Sequence, residues 1–309
     1  MSVSRVFVFP GQGAQKTGMG KDVAGAYPNL AGAVFRAADD ILGFSISDLC
    51  FHGPDERLAQ TEITQPALFT TCVALLSVLS DRGVAPAATA GHSVGEYAAL
   101  VAARSVTFEE ALPVVRLRGE LMAAAVMETP GSMAAIMGLD ADVVNRICRE
   151  ASTKGTVEPS NINGPLQIVV SGETEAVLEA IDIAKREGGR AIRLKVSAPF
   201  HCSMMEPVRA ALEPAIRNLT VVDPEVPVIA NATGGYVGTQ AEIRSALLDQ
   251  VAAPVRWTDT VSLLLSEGHR SFLEIGPGKV LTGLIRAIDP DASIMSVATP
   301  DDVEQVVTQ

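Results

Sequence analysis

Residues 91–95 read Gly-His-Ser-Val-Gly, the spacing of a nucleophile elbow. Apolar residues 87–90 precede this run, and the helix-forming residues 96–103 follow it. A serine on such a strand–turn–helix junction stands at a helix N-terminus, where backbone N–H groups and the positive end of the helix dipole can stabilise an oxyanion. The spacing therefore predicts that Ser93 is a catalytic nucleophile. The alternative is an incidental serine in a glycine-containing turn.

A nucleophilic serine needs a base, and the chain has four histidines. His92 is adjacent to Ser93 and should point away from it. His52 and His269 lie in stretches typical of exposed loops. His201 follows the last predicted strand of a small α/β segment, at a place where the chain returns to the rest of the fold and can face a cleft. We therefore take His201 as the candidate base, with a purely structural histidine as the alternative.

These residues must be positioned by a regular scaffold, and the apolar pattern predicts one that alternates between strands and helices. Strands are predicted at 6–9, 133–138, 157–162, 167–171, 190–196, 226–231, 271–275 and 293–297, with a further strand before the elbow. Helices are predicted at 31–42, 66–79, 108–126, 142–151, 174–187, 241–251, 258–266 and 280–288, with a further helix after the elbow. This alternation is typical of an α/β fold with a mostly parallel sheet.

The order of elements also suggests two domains. Residues 129–197 follow the order βαββαβ, which is that of a ferredoxin-like unit. Residues 1–128 and 198–309 would form the larger catalytic domain, with an α/β-hydrolase-like core into which the smaller domain is inserted. Ser93 and His201 would both belong to the larger domain.

Composition excludes several classes of function. The net charge of −12 over 309 residues argues against a nucleic acid or an anionic membrane as a partner of the whole surface. The four cysteines show no zinc-like spacing with the histidines, which favours reduced thiols, a cytoplasmic protein and no metal site. The apolar run within the first ten residues is too short for a secretion signal. Residues 63–80 carry no charge but include Gln65, Pro66 and several hydroxyl groups, so we expect a buried helix and no transmembrane span.

Six short motifs occur in a specific order. They are Pro10–Gln15 (PGQGAQ), Gly91–Glu96 (GHSVGE), Arg118, Ala198–His201 (APFH), Gln250 in the segment 248–257, and Glu274–Gly278 (EIGPG). Together they resemble the malonyl-CoA:acyl carrier protein transacylases of fatty acid and polyketide synthesis. The resemblance extends from Phe9 to about Leu284.

The resemblance implies a role for each residue of the catalytic centre. Ser93 would take the acyl group as a serine ester, and His201 would act as general base and then as acid. Gln250 would orient His201 through its backbone carbonyl, so replacing its side chain should matter little. The backbone N–H groups of Gln12 and Val94 would form the oxyanion hole.

The resemblance also implies how the acyl group is recognised. Arg118 would grip the free carboxylate of malonate, which a planar guanidinium can do in a bidentate manner. Phe200 is a bulky residue of the kind found in family members that accept malonyl rather than methylmalonyl. The identity of Val94 also favours malonyl. Asn161 and Asn163 would be turn residues at the cleft, with a possible supporting hydrogen bond.

The sites for the thiol carriers are implied less directly. Arg190 matches a basic position that the family associates with coenzyme A. In the predicted strand 190–196, alternation would turn the apolar residues 192, 194 and 196 inward and leave Arg193 and Lys195 outward. These three basic residues are the candidates for binding coenzyme A or the carrier.

The implied activity is transfer of malonyl from malonyl-CoA to the phosphopantetheine thiol of an acyl carrier protein, by a ping-pong route through Ser93 with no metal or redox cofactor. One alternative is an esterase or acyl hydrolase on the same scaffold. A hydrolase for neutral acyl groups would have no use for a buried cation at Arg118. A second alternative, a non-catalytic docking domain, is disfavoured by the intact set of Ser93, His201 and Gln250.

Overall fold

The computed structural model describes residues 4–128, 130–194, 196 and 198–309. The strands are β1 (Arg5–Phe9), β2 (Pro86–Gly91), β3 (Ser132–Met137), β4 (Val157–Gly164), β5 (Gln167–Gly172), β6 (Arg190–Arg193), β7 (Val228–Ile229), β8 (Tyr236–Val237), β9 (Ser271–Ile275) and β10 (Ser293–Val297). The helices of the first half are α1 (Lys21–Ala26), α2 (Ala31–Leu42), α3 (Ile46–His52), α4 (Asp55–Leu58), α5 (Thr61–Asp81), α6 (Gly95–Ala102) and α7 (Phe108–Glu128). Those of the second half are α8 (Ala141–Ala151), α9 (Thr174–Arg186), α10 (Glu206–Asn218), α11 (Gln240–Ala252), α12 (Trp257–Ser266), α13 (Val280–Ile288) and α14 (Pro300–Val307).

The larger sheet has six strands in the order β10-β9-β1-β2-β7-β8. All its neighbouring strands are parallel except β7 and β8, so the prediction of a mostly parallel sheet is confirmed. Both faces are covered, which explains why residues 6–9 of β1 form a continuous apolar run. Phe7 and Phe9 pack into the core on one face, and Val6 and Val8 pack into a second core on the other.

The second sheet is antiparallel, with the order β4-β5-β3-β6. Its elements follow the predicted sequence βαββαβ. Ala134 and Ile136 face helices α8 and α9 on one side of this sheet. Met133 and Val169 project from the opposite side and join the main core. The period-two alternation of these strands therefore divides their side chains between a local core and the surface that meets the larger sheet.

Helix α5 is the one helix in the described part of the chain that is long and apolar enough to cross a membrane, with a mean hydropathy of 1.6. In this fold 89% of that apolar segment is buried among other elements. The predicted buried helix is therefore confirmed, and it is longer than the expected 66–79.

Three local predictions were wrong. Strand β6 ends at Arg193, and Ile192 is 42% exposed instead of facing inward. Ile192 pairs with Ala135, which packs against the main core, but β6 is the edge strand of its sheet, so Ile192 stays partly uncovered. Asn161 and Asn163 lie in β4 and not in a turn, because register shifts in β4 allow a turn-like sequence to end a strand.

Several short elements were not predicted, namely α1, α3, α4, α10, α14 and β8. Helix α10 is the longest of them, and it contains Pro214 as well as a proline in its first turn. A proline inside a helical pattern often marks a helix end, so Pro214 weakens the local signal for α10.

Candidate active site

The nucleophile turn joins β2 to α6. Ser93 has a φ of 53°, in the left-handed region that residues with a Cβ rarely adopt. The two flanking glycines are sterically required. A Cβ on Gly91 would lie 2.0 Å from the Gly95 carbonyl carbon, and one on Gly95 would lie 2.2 Å from the Phe9 carbonyl oxygen. The predicted strand–turn–helix geometry around Ser93 is therefore present.

His201 joins Ser93 to Gln250. Ser93 Oγ lies 2.8 Å from His201 Nε2, and His201 Nδ1 lies 2.8 Å from the backbone carbonyl oxygen of Gln250. A carbonyl oxygen can only accept, so Nδ1 carries the hydrogen and Nε2 is left to accept from the serine hydroxyl. This is the protonation pattern that a general base requires before it takes a proton.

Burial keeps His201 neutral. The side chain is only 4% exposed. Burial, followed by the positive charge of Arg118, lowers the pKa of His201 to about 3, although the hydrogen bond to the Gln250 carbonyl acts in the opposite direction. At neutral pH the imidazole is therefore unprotonated and available as a base.

Arg118 projects from α7 into the same site and is fully buried. Its Nη1 donates to Gln65 Oε1 over 2.6 Å, and its Nη2 donates to Gln250 Oε1 over 2.9 Å and to Ser93 Oγ over 3.1 Å. These acceptors are all neutral, and no carboxylate within the described ranges forms an ion pair with Arg118. A buried cation thus lies one hydrogen bond from the candidate nucleophile.

The side chain of Gln250 makes contacts that the sequence did not predict. Besides accepting from Arg118, it donates through Nε2 to Glu96 Oε2 over 2.7 Å and to the Ser93 backbone carbonyl over 3.1 Å. Glu96 is 1% exposed, and burial raises its pKa to about 7 against the effects of the Asn231 N–H, Gln250 and Arg118. Gln250 therefore connects the buried carboxyl group to the guanidinium.

Sequence reasoning missed Gln65, Glu96 and Asn231 as members of this site. Each is 1% exposed. Gln65 carried a signal, because an amide in an otherwise apolar buried helix needs a hydrogen-bond partner. Asn231, just after β7, donates from its backbone N–H to Glu96 and accepts from the Ser93 N–H through its side chain. No local pattern marks Asn231.

A cavity of about 210 Å³ opens in front of Ser93 and His201. Its lining includes all four remaining residues predicted for the acyl pocket and oxyanion hole: Gln12, Val94, Asn163 and Phe200. Asn163 Oδ1 accepts a hydrogen bond of 2.8 Å from His92 Nε2, and the His92 ring packs against Trp257. His92 is thus directed away from the Ser93 hydroxyl, as predicted.

The basic residues of β6 are divided between the two faces of the antiparallel sheet. Arg190 is paired across the sheet with Met137, and Met137 is paired with Gln167. Directly paired residues project from the same face, and Gln167 lines the cavity, so Arg190 lies on the cavity face. Arg193 pairs with Ala134 on the helix-covered face, and its Nε donates to Ser132 Oγ over 2.8 Å. Lys195 lies outside the described residues.

Comparison with known proteins places this site in a family. Residues 6–303 match the model of the acyl transferase domain. This chain belongs to that family. It is 40% identical over 303 residues to the malonyl CoA-acyl carrier protein transacylase of Bacillus subtilis, which covers 97% of this chain and 95% of the relative.

Two solved structures of the acyl transferase family superpose along nearly all of the chain. One is the malonyl CoA-acyl carrier protein transacylase of Coxiella burnetii, with a TM-score of 0.97 and 39% identity, covering 100% of this chain and 98% of that one. The other is a malonyl-transacylase in complex with a type II polyketide synthase acyl carrier protein, with a TM-score of 0.96 and 40% identity, covering 99% of both chains.

Proposed function

We propose that this protein transfers malonyl from malonyl-CoA to the phosphopantetheine thiol of an acyl carrier protein through a seryl ester on Ser93. One observation carries the proposal: Arg118 Nη2 lies 3.1 Å from the Ser93 Oγ that His201 contacts at 2.8 Å. A guanidinium so close to the nucleophile suits a short acyl group whose free carboxylate is separated from the thioester carbonyl by a single carbon. Malonyl has that length and that charge.

The first half-reaction follows from the protonation states of the site. Ser93 Oγ attacks the thioester carbonyl carbon and gives its proton to His201 Nε2. The negative charge on the carbonyl oxygen would be held by the backbone N–H groups of Gln12 and Val94. Collapse of the intermediate breaks the C–S bond, and His201 returns the proton to the departing thiolate of coenzyme A.

The second half-reaction reverses these roles. The carrier thiol gives its proton to His201 and attacks the seryl ester. The C–S bond forms, the bond to Ser93 Oγ breaks, and the serine takes the proton back. Neither step as written uses a metal or a redox cofactor, and coenzyme A enters only as part of the substrate.

Arg118 favours a transferase over the alternative hydrolase. Burying a guanidinium among neutral acceptors is costly unless a ligand supplies the missing charge. An esterase or acyl hydrolase acting on neutral acyl groups would not repay that cost, whereas a malonyl carboxylate would pair with it. Phe200, with Val94, would limit the room beside the malonyl methylene, and Asn163 would support the substrate near the cavity mouth.

The face of β6 that carries Arg190 supports a site for the thiol carriers. Arg190 lies on the cavity face of the antiparallel sheet, and acyl carrier proteins are generally acidic. We propose that Arg190 contacts the carrier or coenzyme A. Arg193 and Lys195 remain candidates for a more peripheral contribution.

We also propose a division of the chain into two domains. Residues 1–128 and 198–309 would form an α/β-hydrolase-like catalytic domain, and residues 129–197 an inserted ferredoxin-like domain. The strand order of the antiparallel sheet and its βαββαβ connectivity support the second assignment. The four cysteines are free and buried, which supports a cytoplasmic setting.

Intact-mass measurement tests the proposed function. Purified protein incubated with malonyl-CoA should gain one malonyl group, and Ser93→Ala should gain none. Addition of an acyl carrier protein bearing phosphopantetheine should discharge the adduct and add the malonyl mass to the carrier. Release of the group only as free malonate, with none on the carrier, would instead support the hydrolase.

A further inference from the structure

Asn231 contacts both sides of the nucleophile turn. Its Oδ1 accepts from the backbone N–H of Ser93 over 2.6 Å, and its Nδ2 donates to the backbone carbonyl of Gly91 over 2.6 Å. An N–H can only donate and a carbonyl oxygen can only accept, so the two contacts require both ends of one amide. Asn231 thus connects the last residue of β2 to the serine two positions later.

The backbone of Asn231 is itself fixed on two sides. Its N–H donates to Glu96 Oε2 over 3.0 Å, and its carbonyl accepts from the Arg256 N–H over 3.0 Å. The residue lies two positions after Ile229, the last residue of β7 that pairs with β2, and it is 1% exposed. Contacts to the first turn of α6 and to Arg256 therefore hold the backbone of Asn231 in place.

The turn needs such support. Ser93 adopts a left-handed φ of 53° with a Cβ present, which the local backbone disfavours. Its N–H points back into the protein toward Asn231 and is thereby distinct from the Val94 N–H that we assign to the oxyanion hole. If the turn relaxed, Ser93 Oγ would leave its 2.8 Å contact with His201.

We propose that Asn231 is a positioning residue for Ser93, which bridges the two sides of the nucleophile turn and keeps the serine hydroxyl aligned with His201. This inference rests on the proposed role of Ser93 as nucleophile. Asn231 does not line the cavity, so it acts on the reaction only through the turn.

The test uses single-turnover acylation by malonyl-CoA, followed by intact mass. Asn231→Ala removes both amide contacts but keeps the backbone N–H that binds Glu96, so the Arg118 and Gln250 contacts persist. We expect the saturating acylation rate to fall about 10- to 100-fold, while the half-saturating malonyl-CoA concentration stays within about twofold. Labelling of Ser93 by a small fluorophosphonate, which does not use Arg118, should slow to a similar extent.

Val228→Ala is the control for general destabilisation, because Val228 is fully buried in β7 and its apolar side chain forms no hydrogen bond to the nucleophile turn. It should lower Tm while leaving the acylation rate within about twofold of wild type. Thr233→Ala, at an exposed residue nearby whose hydroxyl accepts from the Gly235 N–H, should leave the acylation rate unchanged. Equal losses of rate for Val228→Ala and Asn231→Ala would overturn the proposal.

Asn231→Asp keeps the size of the side chain and tests the donor. Only a protonated carboxyl can donate to the Gly91 carbonyl, so the acylation rate of this variant relative to wild type should be lower at pH 9 than at pH 6. A ratio near one at both pH values would contradict the proposal, and this variant carries the test if Asn231→Ala does not fold. A wild type that is not acylated on Ser93 would instead refute the proposed function, whatever the variants do.

Discussion

The two sides of the active-site cleft are built in opposite ways. Behind Ser93, the residues Arg118, Gln250, Glu96 and Asn231 are each no more than 1% exposed. Hydrogen bonds join the side chains of the first three, and Asn231 joins them through its backbone N–H. Across the cleft, the short edge strand β6 is largely exposed. In the proposed reaction, the first side would recognise a small charged acyl group with little tolerance, and the second would offer an open surface to both thiol carriers.

The buried side carries an energetic cost that the exposed side does not. A buried cation and a buried carboxyl group each lose hydration, and hydrogen bonds offset that loss only where the geometry is good. Gln250 provides the geometry, because its amide accepts from Arg118 and donates to Glu96. We therefore expect substitutions on this side to have large effects and substitutions on β6 to have small ones.

The largest effect is expected from His201→Ala. The substitution removes the base for acylation and the acid for the departing thiolate, and such losses typically cost about 10²- to 10⁴-fold. Stopped-flow or quenched-flow single-turnover assays of both half-reactions should show the loss of rate. His52→Ala, at a half-exposed histidine paired with Asp48, is the matched control and should behave as wild type.

Gln250→Ala should have a smaller effect than His201→Ala. The backbone carbonyl that orients His201 survives this substitution, but three side-chain hydrogen bonds to Arg118, Glu96 and the Ser93 carbonyl are lost. We expect malonyl transfer to slow by about 10- to 100-fold, more than acetyl transfer, because Arg118 loses an acceptor. A rate equal to wild type would mean that only the backbone of Gln250 matters, as the sequence alone suggested.

Glu96→Gln should reveal the cost of the buried carboxyl group. The folded-state pKa of Glu96 is raised from 4.5 to about 7, so its favourable contribution to stability is present below pH 4.5 and is lost as the pH rises through about 7. Wild type should therefore lose about 2–3 kcal/mol of unfolding free energy relative to Glu96→Gln between pH 5 and pH 8. Urea titrations of both proteins at the two pH values measure this difference, and no change in the difference would refute the raised pKa.

The smallest effects are expected on β6. Arg190→Glu should raise KM for the acyl carrier protein by about 3- to 10-fold at low ionic strength, and added salt should reduce the difference. Arg193→Glu, on the opposite face of the same strand, is the comparison and should change this KM by less than about twofold. The reverse ranking would move the carrier to the helix-covered side of the antiparallel sheet.

The sequence could predict the parts of this molecule that have a local signature. The elbow at Ser93 has a spacing, and the α/β alternation and the βαββαβ order follow from apolar periodicity. The network behind the serine has no such signature, because Glu96, Asn231 and Gln250 belong to three distant segments that meet only after the sheet has formed. Alternation in β6 was visible, but it could not show that β6 is an edge strand on which Ile192 stays partly exposed.

In the proposed reaction, the buried guanidinium of Arg118 selects the acyl group. The most direct test compares acylation of Ser93 by malonyl-CoA and by acetyl-CoA in wild type, in Arg118→Ala and in Arg116→Ala. Arg116 lies on the same helix but pairs with Glu120 at the surface, so it serves as the matched control. We expect Arg118→Ala to lower malonylation about 10- to 1,000-fold while acetylation is unchanged or faster, and Arg116→Ala to leave both rates as in wild type. An unchanged ratio of malonylation to acetylation in Arg118→Ala would show that Arg118 does not select the acyl group.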